Sequence, residues 1–592
     1  MSTVPAVATA MVVLAAAGAL PAWRLVGWRP VTVFLAPLMG MLLAGIAGGL
    51  AVTVAGDTLR WFLPLAGAAN AAALGSMASH HDHQQVRPDD ARLSSEAGGA
   101  GAIRSTSSGE LGAAGSARRA EKPGWGSPPW LSGVGVLGVL AVGASVGWCL
   151  KALVRPQIGF DARTIWLLHA TWLADGHATA RRALSNPALP FAHASYPPLA
   201  GGVVALAWLI TATHSDRVGV VVLSLCTACA VAAAGTVLVE AGIEVAGRVR
   251  RAGSYVPVSL LVGLLGAAAG SAWCLGVYGI TGAGATDGYV DLLWSACAVG
   301  AAGLGLVLSL SGSSVRAAGV LLLVAALTKN EGIATGAVLV ALVAWRWWRG
   351  GRGVGMVRGG RRRIVSWAVV AEAAVIAWPV TMLLLHAQPD ADTVGHRYGG
   401  MFSRLDVTVH GMAGDLHLAG LALAAGVVGT VLLGRRRRSL GLGADPWLWV
   451  AGGAEVAATA AFYVIGTTEI QFWLDTSVAR VTIFADALGL AAFGYWLVVA
   501  GSAAFGPCAD KLRSLPAAGA TSEHYHPLAP VSVGSRDAGG DPPGDADMDP
   551  GGDTAGGAAH DAQQSRAVGS GGLLHDPLRL DAGADSVLHR HP

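Results

Sequence analysis

Long uncharged runs of apolar residues, separated by short loops crowded with arginine, dominate this sequence. A helix needs about 20 apolar residues to cross the ~30 Å hydrocarbon layer of a bilayer. Within that layer only a helix or a closed barrel satisfies its own backbone polar groups. Runs of this kind lie at 4–22, 31–53, 61–78, 129–150, 217–241, 255–280, 288–310, 314–328, 332–348, 365–386, 416–434, 446–466 and 481–503, which makes 13 candidate spans. The predicted fold class is therefore an all-α polytopic membrane protein. Composition agrees: 53% of the 592 residues are hydrophobic and only 13% charged, about half the charge of an ordinary soluble domain. No basic stretch precedes the first run and further spans follow it, so it reads as a first helix rather than a cleaved signal.

Two polar segments punctuate the chain. Residues 79–127 open with Ser79-His80-His81-Asp82-His83 and continue in Gly, Ser and Arg, while 505–592 are rich in Gly, Asp, Pro and His. Neither can bury enough apolar surface to offset the entropy of ordering, so both are predicted to be disordered and cytoplasmic. They divide the chain into N-terminal transmembrane helices (1–78), the loop 79–127, a transmembrane region 128–504 and the tail 505–592. The histidine patches read as solvated composition bias rather than metal sites. Cys149, Cys226, Cys229, Cys274 and Cys297 fall within apolar runs and Cys508 in the tail, with no disulfide framework or metal-ligand spacing. Cys226 and Cys229 form a C-x-x-C on an all-apolar helix, where they serve as packing residues.

The arginines set an orientation. Short loops rich in Arg and Lys stay in the cytoplasm, and three such loops stand out: Arg248, Arg250 and Arg251; Arg346, Arg349, Arg352, Arg358 and Arg361 to Arg363; and Arg435 to Arg438. Four candidate spans separate the first from the second and two separate the second from the third, so the parity closes. It closes only if the apolar stretch 197–213 does not cross. That stretch opens with Tyr196-Pro197-Pro198-Leu199, and prolines are tolerated in a first helical turn but not deeper. It is read as an interfacial or re-entrant helix within a large outer loop, 151–216. Because the net charge of +3 comes from these short loops and not from a basic face, nucleic-acid binding is not indicated.

With this orientation the polar residues gather at one mouth. The outer loop carries Asp161, Trp166, His169, His193 and Tyr196; Asp287 and Asp291 stand at the outer end of the 288–310 helix; Lys329 and Glu331 occupy an outer turn. Asp390, Asp392, His396, Arg397 and His410 lie in the next outer loop, and Glu469, Gln471, Trp473, Asp475 and Arg480 in the last. Charges near a bilayer are costly, about 2.5 to 3.5 kcal/mol each at a helix centre, so many at one mouth point to pairing or use. Lys329 is one of only four lysines in the chain.

Gly159-Phe160-Asp161-Ala162-Arg163-Thr164-Ile165-Trp166, His193-Ala194-Ser195-Tyr196-Pro197-Pro198-Leu199, Gly288-Tyr289-Val290-Asp291-Leu292, Thr328-Lys329-Asn330-Glu331-Gly332 and Phe472-Trp473-Leu474-Asp475-Thr476-Ser477-Val478-Ala479-Arg480 occur in an order that resembles bacterial GT-C glycosyltransferases. These are integral-membrane enzymes dependent on polyprenyl-phosphate sugars, a superfamily that includes protein mannosyltransferases and lipid A aminoarabinose transferases. The likeness covers roughly 130–500. It implies an essential aspartate in the first outer loop, here Asp161, and a second acidic residue at the outer end of a later helix, for which Asp291 and Asp287 compete. Val290 departs from an expected alanine, and Ala479 stands where an acidic residue is expected before Arg480.

The chemistry implied is transfer of a sugar from a polyprenyl-phosphate donor to a lipid, polysaccharide or protein acceptor of the cell envelope, on the outer face of the plasma membrane. Asp161 and Asp291 are the catalytic candidates, since a partly buried carboxylate beside an acceptor hydroxyl can act as base. Lys329, Arg480 and His193 would steady the leaving phosphate, with Asp287 and Glu331 beside them. Trp166, Tyr196 and Trp473 would wall the sugar or stand as aromatics at the lipid interface. The same phosphate stabilisation could instead come from Mg or Mn bound by Asp161 with Asp287 or Asp291, since carboxylates suit these cations, and the sequence leaves both sources open. The alternatives are a secondary transporter or flippase for an envelope lipid or small solute, which usually shows internal repeats not seen here, and a non-catalytic scaffold. The orientation is tested by Ser185→Cys and Arg436→Cys: an impermeant thiol reagent added outside intact cells should label the first and spare the second.

Overall fold

The computed structural model describes residues 2–85, 158–186, 192–251, 287–307, 312–350, 358–387, 401–416, 445–465 and 470–489, with a few isolated positions besides. Every regular element among them is helical. The N-terminal trio is α1 (Thr3–Val26), α2 (Pro30–Thr53) and α3 (Thr58–Gln85). A π-helical turn, Ala162–Leu167, runs into Leu168–Asp175 to make α4, followed by α5 (His177–Leu184), α6 (Leu199–Thr211) and α7 (Asp216–Arg251). Then come α8 (Asp291–Val307, its last turn π-helical), α9 (Gly312–Thr328), α10 (Asn330–Gly350) and α11 (Arg358–Leu384). The remaining elements are α12 (Met401–Asp415), α13 (Asp445–Ile465), α14 (Ile470–Val481) and a short helix over 483–489.

Five of the described helices hold segments long and apolar enough to cross a membrane: Thr3–Val26, Pro30–Thr53, Asp216–Leu238, Val365–Leu384 and Leu448–Ile465. Shorter apolar helices are Leu199–Thr211, Asp291–Val307 and Gly312–Thr328. Apolar side chains stand bare on the outside of α11, among them Val369, Val370, Leu383 and Leu384. Exposed apolar surface of this extent on a helix of spanning length marks a membrane protein. The predicted span 255–280, the span 416–434 after its first residue, the span 129–150 apart from two positions, and 490–503 of the last span fall outside the described residues, as do 86–127 and 505–592.

The centre of the bundle is α8. All its residues from Asp291 to Val307 are buried, with α7, α9, α10 and α14 around it. Its sequence is apolar or small on every face after Asp291, so no face needs water. Glycines let the neighbours close in. A Cβ at Gly300 would press on Leu321 of α9, at Gly303 on Val237 of α7, and at Gly305 on Val343 of α10. The α1–α2 pair uses the same device, since a Cβ at Gly18 would strike the Ala36 carbonyl and one at Gly40 the Leu14 carbonyl.

Two differences from the sequence expectation have plain causes. Helix α3 continues through Ser79-His80-His81-Asp82-His83 to Gln85 rather than ending at 78; propagation of an existing helix is cheap, and no Gly or Pro interrupts it before Pro88. Helix α6 is short, as the Pro-Pro start suggested, and it is buried against α2, α4 and α7, which departs from the interfacial placement but not from the re-entrant one. Gly202 allows this, because a Cβ there would meet the Ala44 carbonyl of α2.

Helix ends carry a second kind of order. Arg29 pairs with Glu240 of α7 and donates to Ser314 Oγ of α9 at 3.1 Å, while Arg316 Nε donates to the Leu25 carbonyl at 2.7 Å. Arg346, near the end of α10, donates to the Gly305 carbonyl at 2.5 Å. The starts of α8 and α10 and the end of α9 therefore share one end of the bundle, and these arginines the other.

The close α1–α2 contact predicts that Gly40→Ala lowers the melting temperature in detergent, overpacking there costing about 1–3 kcal/mol. Gly67→Ala in α3, where a Cβ meets nothing within 4 Å, should instead gain up to about 1 kcal/mol.

Candidate active site at the head of the central helix

Two backbone segments interlock to build the site. The Gly159 N–H donates to the Asp287 carbonyl at 2.9 Å, and the Tyr289 N–H donates to Asp287 Oδ1 at 3.3 Å. Gly288 has φ +85, and a Cβ there would press on Ala162 and Val220, so only glycine fits both the backbone and the space. At Gly159 a Cβ would run into the Tyr289 ring. The segment bearing Asp161 is thereby clamped to the segment leading into Asp291.

Asp291 is the first residue of α8, where a negative charge complements the helix dipole. Its Oδ1 accepts from Lys329 Nζ at 2.7 Å, and its Oδ2 lies 3.9 Å from Arg480 Nη1. Lys329 is the one residue between α9 and α10 and also contacts Glu331 Oε1 at 2.9 Å. The turn closes this tightly because Gly332 sits against the Ala325 carbonyl, where a Cβ would not fit. Arg480, from α14, donates to Asp161 Oδ2 at 2.5 Å, and its guanidinium lies 5.0 Å from the Tyr289 ring centre. Asp161, Arg480, Asp291, Lys329 and Glu331 thus form one chain of alternating charges.

Openness varies along it. The side chains of Asp291 and Lys329 are 3% and 8% exposed, whereas Asp161 and Glu331 keep 23% and 26%. The sealed pair forms the floor and the partly open carboxylates flank it. Burial works against the Lys329 ammonium, but Asp291 and then Glu331 outweigh it and hold its pKa above the ordinary lysine range. Burial, reinforced by the Asp161 carboxylate, raises the Tyr289 hydroxyl.

Aromatic rings line one flank as a stacked series. Tyr196 has Trp166 at 5.5 Å and His193 at 4.7 Å, both nearly parallel to it, and Lys329 Nζ lies 6.0 Å from its centre. Trp166 also meets His169, which stacks on Trp172 at 4.7 Å. Trp166 is buried, and two rings contact Tyr196. These rings hold the polar loop in place, with Trp166 buried and Tyr196 half-buried beside Lys329. Trp473 stands elsewhere, stacked on Phe462 at 5.1 Å in a separate apolar cluster with Tyr463 and Met412. His410 lies in α12, exposed and beside Asp406, while 390–397 and Glu469 fall outside the described residues.

The sequence reading brought Asp161, Asp287, Asp291, Lys329, Glu331, His193, Tyr196 and Arg480 to one place, and the structure brings these residues together. It missed Tyr289, which lies within its own Gly288-Tyr289-Val290-Asp291 motif, and it missed Glu455 and Asp486, buried mid-helix in α13 and 483–489. An isolated carboxylate in an apolar run was the signal available for both. Among the described residues no group of three or more His, Cys, Asp or Glu is arranged to hold a metal. Arg480 lies against both Asp161 and Asp291.

Comparison of the chain with models of known families, with curated proteins and with solved structures gives no match.

The buried ion pair makes a sharp prediction. Lys329→Met strands the Asp291 charge and should cost about 3–5 kcal/mol in unfolding experiments, whereas Asp291→Asn with Lys329→Met should recover most of that loss. A double-variant loss equal to the sum of the two single-variant losses would show that the two side chains act independently.

Proposed function

We propose that this chain is an integral-membrane glycosyltransferase that moves a sugar from a polyprenyl-phosphate donor to a cell-envelope acceptor outside the cytoplasm. One observation carries the reading: Asp161, Asp291, Lys329 and Arg480, drawn from four separate parts of the sequence, converge at one end of an otherwise apolar bundle. Such a bundle bears the cost of ionic groups where they bind or react.

The charge chain suggests how the parts divide the work. A phosphate arriving at the site competes with Asp161 for Arg480, since guanidinium binds phosphate and carboxylate with the same fork. As Arg480 turns to the phosphate, Asp161 is released to accept the acceptor hydroxyl's proton. The acceptor oxygen then forms the bond to the sugar's anomeric carbon, the bond from that carbon to the phosphate oxygen breaks, and the electron pair leaves with the phosphate. Arg480 and Lys329 stabilise the charge that develops there. Asp291 is too enclosed for the base role and is assigned the positioning of Lys329 and Arg480. Tyr289, beside both Asp161 and Arg480, orients the exchange. The orientation with this mouth outside rests on the arginine loops.

The competing reading, a secondary transporter or flippase, draws on one observation, the buried carboxylate Glu455 in the middle of α13, because transporters place ionisable groups mid-span. Purified protein in vesicles, supplied with a panel of labelled polyprenyl-phosphate sugars and envelope-lipid acceptors, separates the two. Transfer should fall about 10²–10⁴-fold in Asp161→Asn, with the folded protein still present in the membrane, and Arg480→Met should chiefly raise the donor KM. Full activity in Asp161→Asn would remove the proposed base, and donor movement across the vesicle without transfer would favour the transporter.

A further inference from the structure

Glu455 lies at the centre of α13 (Asp445–Ile465), within Leu448–Ile465, a segment apolar and long enough to cross a membrane. The residue is only 5% exposed. Its Oε1 accepts a hydrogen bond from Thr459 Oγ1 at 3.0 Å, and its Oε2 is buried with no hydrogen-bond partner among the described residues. Among the described residues, the charged groups that bear on it are two further carboxylates, Asp486 from the 483–489 helix and Glu331 at the start of α10.

The cations on the elements packed around α13 are directed elsewhere. On α10, Arg346 is bonded to the Gly305 carbonyl and Arg349 lies over Trp345. On α12, Arg404 reaches the Tyr463 and Val464 carbonyls, two turns from Glu455, and His410 is exposed beside Asp406. On α14, Arg480 is held by Asp161, and Gln471 donates to Asp475. Lys329, just before α10, is in contact with Asp291 and Glu331. The last π-helical turn of α8, Gly303–Val307, is entirely apolar.

We infer that Glu455 is a proton-binding site, its Oε2 carrying a proton at neutral pH inside the helical bundle. Glu331 also has one buried oxygen without a hydrogen-bond partner, so the proton has two candidate homes. The difference between them is the counter-charge. Glu331 Oε1 lies 2.9 Å from the Lys329 ammonium, which stabilises the ionised form, whereas the polar contact at Glu455 Oε1 is a neutral hydroxyl. A buried carboxylate without a cation takes up a proton in preference to remaining charged. This site stands apart from the proposed transfer chemistry, and its test does not depend on transferase activity.

The test is infrared spectroscopy of the full-length protein in vesicles at neutral pH. The wild type should show the carbonyl-stretch band of a protonated carboxylic acid, and Glu455→Gln should lose it. Thr459→Val should shift the band to higher frequency, because a hydrogen bond to the carbonyl oxygen weakens that bond. A Glu455→Gln spectrum that superimposes on the wild type in this region would overturn the inference. Should Glu455→Gln fail to accumulate, carbodiimide modification of the wild type decides, since that reagent needs a protonated carboxyl in an apolar setting. The Glu455 peptide should be modified at neutral pH and spared at alkaline pH, and an unmodified peptide at neutral pH would sink the proposal.

Discussion

The contact between Lys329 and Asp291 sets the terms for everything around it. Two opposite charges removed from water are stable only when each has close partners for its remaining donors and acceptors. Asp291 meets that demand with Lys329 at 2.7 Å, Arg480 at 3.9 Å and the positive end of α8. Lys329 meets it with Asp291 and Glu331. The α9–α10 turn, the head of α8 and the α14 helix must therefore arrive at one point, and a displacement of any of them leaves a charge uncompensated in an apolar interior. Specificity of assembly is the benefit of such a network even where its net contribution to stability is small.

Small residues make that convergence possible. Gly300, Gly303 and Gly305 let α7, α9 and α10 approach α8 on different sides, and Gly332 lets α10 turn back against α9. Gly159 and Gly288 fasten the Asp161 segment to the Asp287–Asp291 segment. In an apolar environment, where burying a leucine gives little advantage over lipid, close backbone approach is the main source of helix association. The glycines thus do for this bundle what a layered aliphatic core does for a soluble domain.

The aromatic series on the flank has a matching role. Tyr196 sits between Trp166 and His193, and the Trp378 indole N–H donates to the Ser195 carbonyl at 2.9 Å, tying this loop to α11. His193 adopts φ 45, a left-handed backbone that few side chains accept, at the point where the loop turns toward α6. These rings give rigid support to the charge chain, of which Asp161 and Glu331 are the partly exposed members.

The sequence by itself determined the all-helical, membrane-type architecture, because apolar runs of spanning length admit no other backbone solution among them. It also showed that Asp161, Asp287, Asp291, Lys329, Glu331 and Arg480 belong together, because ionic groups in so apolar a chain are rare enough that their order along it is informative. Tertiary structure alone decided the pairing: which carboxylate takes Lys329, which takes Arg480, and that Trp473 packs with Phe462 instead of joining the site. It alone showed that α3 runs on to Gln85, that α6 is buried, and that Glu455 has no cation beside it among the described residues. Periodicity and hydropathy report how each segment meets its solvent, whereas ion pairing and burial depend on contacts between residues as far apart as Asp161 and Arg480, which a linear pattern does not encode.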